Sequence, residues 1–410
     1  MVLKCDVRLR HVFVAYSRKG ILMIRTLTAC TSEIDDVELA VSEILEQLDM
    51  DGLLGNTVGI LTCFADFVES ETVKAICDAL PFCVVGSTTL GNSTRGSVGT
   101  MLLTLMVLTS DDVSFSVGLS EPLLSEDPAP LRAAYKSAVA ELPEKPVLLV
   151  SFAPLLMNVG GDFYVNAFAE ISEGIPNFGM ISVDHNNDYN EARIFHNGEA
   201  YPNRYAFILF SGNVNPRFFM GSISAAKLFH DKGLVTASQG NQLQTVNGRP
   251  VIDYLTSLGL TLDVNGTIVG INSFPFIIDY NDGTTPVVRA MFANTPEGYA
   301  VCGGDIPVGA TLSVGAIDAN EIIATTTEAL NSALALDNPD CLLMFSCVGR
   351  YFSMGYEPLS EMERVRDIME ANSLPYQFTY SGGEICPVYA RDDESITNRN
   401  HNDTFVICAL

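Results

Sequence analysis

The sequence predicts an α/β to α+β fold: mixed β-sheets flanked by helices, built from three internal α-β-α-β-β type repeats. Strand-length apolar runs alternate with amphipathic helical segments, and one order of elements recurs along the chain. Of the 410 residues, 48% are hydrophobic and only 18% charged, ample material for a large interior. The last strand of each copy follows a polar loop and no helix, so it is expected to run antiparallel to its predecessor, which makes the sheets mixed.

The pattern is plainest from Val113 to Gly212. A short strand, Val113–Leu119, is followed by a helix over Pro130–Leu142 with Leu131, Ala134, Tyr135, Ala138 and Val139 on one face. Then come a buried strand, Pro146–Phe152, a second helix, Phe163–Glu173, a strand-like run, Pro176–Ser182, a polar loop, and the closing strand Arg204–Phe210. The last hundred or so residues keep this order. Thr311–Ile317 is expected to be the first strand and Glu321–Leu336 the helix, with Cys341–Ser346 the buried strand. Leu359–Asn372, Gln377–Ser381 and Thr404–Leu410 complete that copy. In the N-terminal copy, Ile34–Leu48 and Glu69–Leu80 are the helices. Val58–Phe64, Phe82–Val85 and Met101–Thr109 are its strands. Between the second and third copies, 213–310 reads as a different α+β unit. It has one helix, Arg249–Leu258, and hairpin-like strands with turns at Asn281-Asp282-Gly283 and Pro296-Glu297-Gly298. Two domains are therefore expected, 25–220 and 221–410.

Charge excludes several function classes. With 23 basic and 49 acidic residues the formal net charge is -26, which repels phosphate backbones and anionic lipid surfaces. No nucleic acid and no membrane insertion are expected: no run reaches the apolar length that spans a bilayer, and the N-terminus lacks the apolar core of a secretory signal. Ten cysteines occur without a CxxC spacing, mostly in apolar strands, so reduced buried thiols and a cytoplasmic location are the expectation.

Candidate ligand groups fall where strands feed polar, glycine-bearing loops: Gly86–Gly91, Gly179–His185 and Ser381–Ile385. Such loops at the carboxyl ends of strands are where open α/β sheets bind ligands. Backbone N–H groups and hydroxyls there can hold a carboxylate. Arg350, just past a buried strand, suits a ligand carboxylate or an acidic partner such as Glu384. The expected ligand-binding set is Ser87, Thr88, Thr89, Asp184, Arg350, Tyr380, Gly383 and Glu384. Arg350 would face a carboxylate and Glu384 an ammonium group. No metal site, no cofactor and no catalytic residue is expected, since zinc, phosphate-loop, nucleophile-elbow and dinucleotide signatures are all missing. Two alternatives stay open: an enzyme using Cys347 or the Asp184/His185 pair, or a protein-interaction scaffold.

The order of several segments resembles one family. Phe82-Cys-Val-Val-Gly86-Ser87-Thr88-Thr89-Leu-Gly91 is similar to the FIST N signature. Val235-Thr236 through Gly248–Val251 resembles the stretch entering FIST C, and Arg289 with Gly304–Gly309 its middle. Phe345–Arg350, Gly383–Pro387 and His401–Thr404 resemble its C-terminal motifs. The resemblance implies a sensory, signal-transduction module that binds a small ligand such as an amino acid. In this chain the signal would pass to a separate protein partner.

Overall fold

A computed structural model describes residues 24–186, 189–336, 339–392 and 395–410. The N-terminal segment read above for a secretory signal lies outside the described residues. The fold is α/β to α+β with mixed sheets: three six-stranded sheets belong to the three copies and an eight-stranded one to the insert.

Each copy contributes four strands in one spatial order. In the first copy these are Arg25–Thr31, Leu103–Ser110, Asn56–Cys63 and Cys83–Thr88. The last two pair in parallel, while the closing strand Leu103–Ser110 runs antiparallel to both of its neighbours. The second copy repeats this with Val113–Leu119, Ala206–Gly212, Pro146–Ala153 and Asn177–Ile181. The third uses Arg217–Gly221, Phe405–Ala409, Leu342–Cys347 and Tyr376–Ser381. The strand named last in each copy is third in chain order, and two of these third strands, Cys83–Thr88 and Asn177–Ile181, carry a glycine because a neighbouring carbonyl crowds the backbone. A Cβ on Gly86 would come within 1.7 Å of the Leu61 carbonyl oxygen, and one on Gly179 within 2.3 Å of that of Ser151.

The third copy corrects the expectation for Thr311–Ile317. Thr311–Val314 pairs with Phe276–Asp279 and Gly233–Gln239 inside the insert sheet. The true first strand is Arg217–Gly221, which pairs with Phe405–Ala409. The insert is thus spliced between that strand and the helix Ala319–Leu334. That helix begins where the Asp318 carboxylate accepts the Glu321 N–H at 2.9 Å.

The polar loops hold a second feature that sequence reading missed. In every copy the segment after the third strand folds into a hairpin that joins the sheet of another copy. Asn92–Thr94 and Ser97–Gly99 extend the third sheet, Ile194–His196 and Glu199–Tyr201 the first, and Glu384–Tyr389 and Ile396–His401 the second. The exchange closes the three copies into a ring.

Alternation along the strands divides the core. Odd-numbered Cys341, Leu343 and Phe345 join Val150, Phe152, Ile60 and Val85 in one cluster shared by all three sheets. Phe345 stacks on Phe178 at 5.2 Å and meets Phe152 edge-on at 6.4 Å. Even-numbered Leu342 and Met344 point the other way, into a cluster under the helices Ala319–Leu334 and Ser360–Asn372. The sheets therefore face one another across a common interior and wear their helices outside. The insert has its own core around Leu255, Phe276, Ile278 and Leu312.

Candidate functional site

Strand register defines equivalent positions in the three copies. Thr88 lies opposite Cys63, Ile181 opposite Ala153, and Ser381 opposite Cys347. The exits of the three third strands converge. The Thr89 hydroxyl donates to the Tyr380 carbonyl at 2.5 Å, the Gly382 N–H to Ile181 at 2.9 Å, and the Val183 N–H to Thr88 at 3.5 Å. Ser87, Thr88, Thr89, Asp184, Gly383, Glu384 and the backbone of Tyr380 therefore come together at one junction.

Most of these groups are occupied there. The Ser87 hydroxyl donates to the Thr88 carbonyl at 2.9 Å, and Thr88 Oγ1 accepts the Arg193 N–H at 2.9 Å. The Asp184 carboxylate accepts the N–H groups of Asn186 at 2.7 Å and Glu191 at 2.6 Å, fixing its own loop. His185 stacks on Phe64 at 4.4 Å. Asp184 and His185 therefore make separate contacts and show no acid–base pairing.

Arg350 stands elsewhere than expected. It is 0% exposed and faces the outer helix layer. Its Nε and Nη2 reach Glu361 at 2.9 and 2.8 Å. Nη2 also donates to Thr326 Oγ1 at 2.7 Å and the Ile322 carbonyl at 3.1 Å, and Nη1 to the Gly221 carbonyl at 3.4 Å. Glu361 in turn accepts from the hydroxyls of Thr326, Ser346 and Tyr380. The acidic partner is Glu361, not Glu384, and the guanidinium is saturated by the protein itself. Tyr380 belongs to the same outer network, whereas Glu384 meets Ser381, whose side chain points to the other side of that strand.

On the inner face a different cluster forms from Cys347, Glu384 and Asp403. Glu384 is 0% exposed. Its Oε1 accepts the Ser381 hydroxyl at 2.6 Å, while Oε2 has no hydrogen-bond partner. Burial, reinforced by Asp403, pushes its carboxyl well above the usual carboxylate range, against the lowering pull of the Ser381 bond. Burial likewise lifts Asp403 to about 7, although Arg350 pulls in the other direction. Cys347 lies within electrostatic reach of both, its thiol pushed up by burial, then by Glu384 and Asp403. The backbone N–H groups of Gly349 and Asp403 face the sulfur but do not offset this. A thiol held protonated in this way is a poor nucleophile. Tyr189, half-buried, lies within electrostatic reach of Cys347 and of Asp184.

A second buried ion pair escaped the sequence reading. Arg289 of the insert reaches Asp162 at 2.8 Å, Tyr280 Oη at 2.8 Å and the Asn400 carbonyl at 2.5 Å. Asp162 also accepts the Asp305 N–H at 2.9 Å. The pair ties the second copy, the insert and a hairpin of the third copy together. A cavity of about 370 Å³ lined by Gly270–Ser273, Phe352 and Ser353 lies where the insert meets the third copy, and none of the predicted residues line it. Among the described residues no group of three or more His, Cys, Asp or Glu is arranged to hold a metal, and no disulfide links the cysteines. No helix among them is long and apolar enough to cross a membrane.

The FIST N domain model matches residues 57–249 and the FIST C domain model residues 256–387. The chain belongs to the FIST family, carrying FIST N and FIST C in tandem; FIST domains are sensory domains. No curated protein matches the sequence. Among solved structures, the chain is similar to a cyanuric acid hydrolase whose title describes evolutionary innovation by structural concatenation. The identity is 12%, over 72% of this chain and 99% of that one, with a TM-score of 0.30. A cyanuric acid hydrolase from A. caulinodans is 11% identical over 94% of this chain and 99% of that one, with a TM-score of 0.34. Likeness at this level carries nothing about chemistry to the present chain.

Proposed function

We propose that this protein senses a small molecule, an amino acid or a related small ligand, at the junction of its three copies and signals occupancy to a separate protein partner. The observation that carries the reading is Glu384, a fully buried carboxylate whose Oε2 is unpartnered at the strand exits where all three copies touch. A buried polar oxygen without a hydrogen-bond partner costs stability, and proteins keep such costs chiefly at functional sites. The hairpin exchange supplies a route outward. Glu384 begins a strand that belongs to the third copy in sequence and to the second sheet in space, so a ligand there bears on two copies at once.

The test is a dye-read thermal-shift panel of amino acids, amines and carboxylates, since the chain contains no Trp. A ligand at a hundred times its dissociation constant adds about 2.7 kcal/mol. A shift confined to one chemical class is the expected outcome. A flat panel at millimolar concentrations contradicts the sensor reading and favours the scaffold.

A further inference from the structure

The geometry points to a ligand class that the family assignment leaves open. We propose that Glu384, with Asp403 beside it, receives the protonated amino group of the sensed ligand, so that the site takes small primary amines and amino acids and rejects simple carboxylates. The inference rests on the sensor reading of the same junction.

Four observations lead to it. First, Glu384 Oε2 is a buried acceptor with no donor. An ammonium group brings three donors on one compact charge, and charge-assisted bonds to carboxylates are the strong ones. Second, Asp403 is a further carboxylate close enough to raise the Glu384 carboxyl, and it is 2% exposed. Two neighbouring buried acids offer an ammonium group acceptors on more than one side. Third, the nearby cation is already committed. Arg350 acts on both acids through space, yet its hydrogen bonds run to Glu361, Thr326 and backbone carbonyls on the other face. A ligand carboxylate would therefore meet two buried acids, and the Arg350 guanidinium is not free to receive it. Fourth, the third member, Cys347, is protonated, so it adds a weakly polar wall and no competing charge. Tyr189, half-buried beside Cys347, holds a left-handed backbone at φ 52°, unusual for a bulky residue, at this same seam.

The probes are a matched set: ethylamine, alanine and propionate, with potassium chloride as the inorganic cation. Calorimetric titration at pH 8 is run on the full chain, on Glu384→Gln, on Asp403→Asn, and on Glu170→Gln, which alters only an exposed ion pair with Arg132. Ethylamine and alanine are expected to bind and propionate not to. Glu384→Gln and Asp403→Asn should each weaken that binding by about tenfold or more, since a charge-assisted bond is lost. Glu170→Gln should leave it unchanged. Using both acid variants covers the case in which one fails to fold. Binding of propionate in preference to ethylamine overturns the amine assignment while leaving the sensor reading intact. Amine binding that survives both variants removes these two residues from the site. Potassium binding as strong as that of ethylamine marks an inorganic-cation site and also overturns the proposal. Heat from none of the probes sinks the sensor reading and the amine assignment together.

Discussion

Asp184 and Glu384 stand at equivalent places in two copies, each three residues beyond the residue paired with the end of its central strand, Ile181 and Ser381 respectively. Both are buried. Asp184 takes two backbone N–H groups from the loop it caps, so its charge is answered within seven residues of chain. Glu384 takes one hydroxyl, leaves one oxygen bare and has another acid for a neighbour. The repeat therefore used one position as a loop clamp in the second copy and as an open acceptor in the third. The difference teaches that copies of one fold need not share a site: chemistry belongs to the copy in which the local donors are withheld.

The first way to sharpen the contrast is to break a charge that is fully answered. Arg350→Met leaves Glu361 buried with hydroxyl donors only, and removal of one partner of a buried pair costs about 3–5 kcal/mol. Urea denaturation should show that loss; a variant as stable as the parent would mean the guanidinium is held less tightly than its seven hydrogen bonds imply. Asp162→Ala comes next. It strands Arg289, whose side chain is 0% exposed, although Asp162 itself is slightly open at 13%. A loss of about 2–4 kcal/mol follows from the same reasoning, and limited proteolysis should then cut preferentially in the insert that the pair fastens. Asp184→Asn should cost about 1–2 kcal/mol, because two backbone N–H groups exchange a charged acceptor for a neutral one. No change in its urea midpoint would erase the distinction between the two copies.

The pH response is the subtler test. Asp403 rises from 3.8 to about 7 on folding, for which burial is the main cause. The folded state then holds the proton more tightly than the unfolded chain, so this group favours folding at low pH and its contribution falls as pH climbs towards 7. Asp403→Asn cannot titrate. Its stability relative to the parent should therefore increase from pH 4 to pH 7 and level off above, read as the difference in urea midpoint. His401 works in the opposite sense, lowered from 6.5 to about 3 by burial, and makes folding more favourable as pH rises through that range. It is present in both proteins and cancels in the difference. A gap that narrows with rising pH would show Asp403 to be stabilised as an anion.

Much of this fold was legible because its strands and helices carry strong local periods. The central strands, both helices of each copy and the antiparallel closing strands follow from alternation and helical spacing alone. What stayed hidden is non-local. The hairpins Asn92–Gly99 and Ile194–Tyr201 have strands of three residues, too short to show a period, and their partners lie in another copy. Arg217–Gly221 was lost because the insert separates it from the rest of its copy. The three glycine-bearing loops, Glu384 among them, could be picked out locally, and the fold brings them to one junction. The error lay in assigning faces. Tyr380 and Ser381 are adjacent in sequence but point to opposite sides of a strand, and Arg350 follows the outer side, where Glu361 waits on a helix. Nothing local in the sequence pairs Arg350 with Glu361, or Arg289 with Asp162, since each pair is made across separate elements.

The measurement that bears most directly on this account is the urea stability of Glu384→Gln at pH 8. A buried carboxyl with an unpartnered oxygen is a burden on the fold, so replacing it by an amide of the same shape should leave the protein as stable as before or raise stability by about 1–2 kcal/mol. A loss comparable to that of Arg350→Met would show that Glu384 is a structural partner like Glu361, and the junction would then hold no acceptor waiting for a ligand.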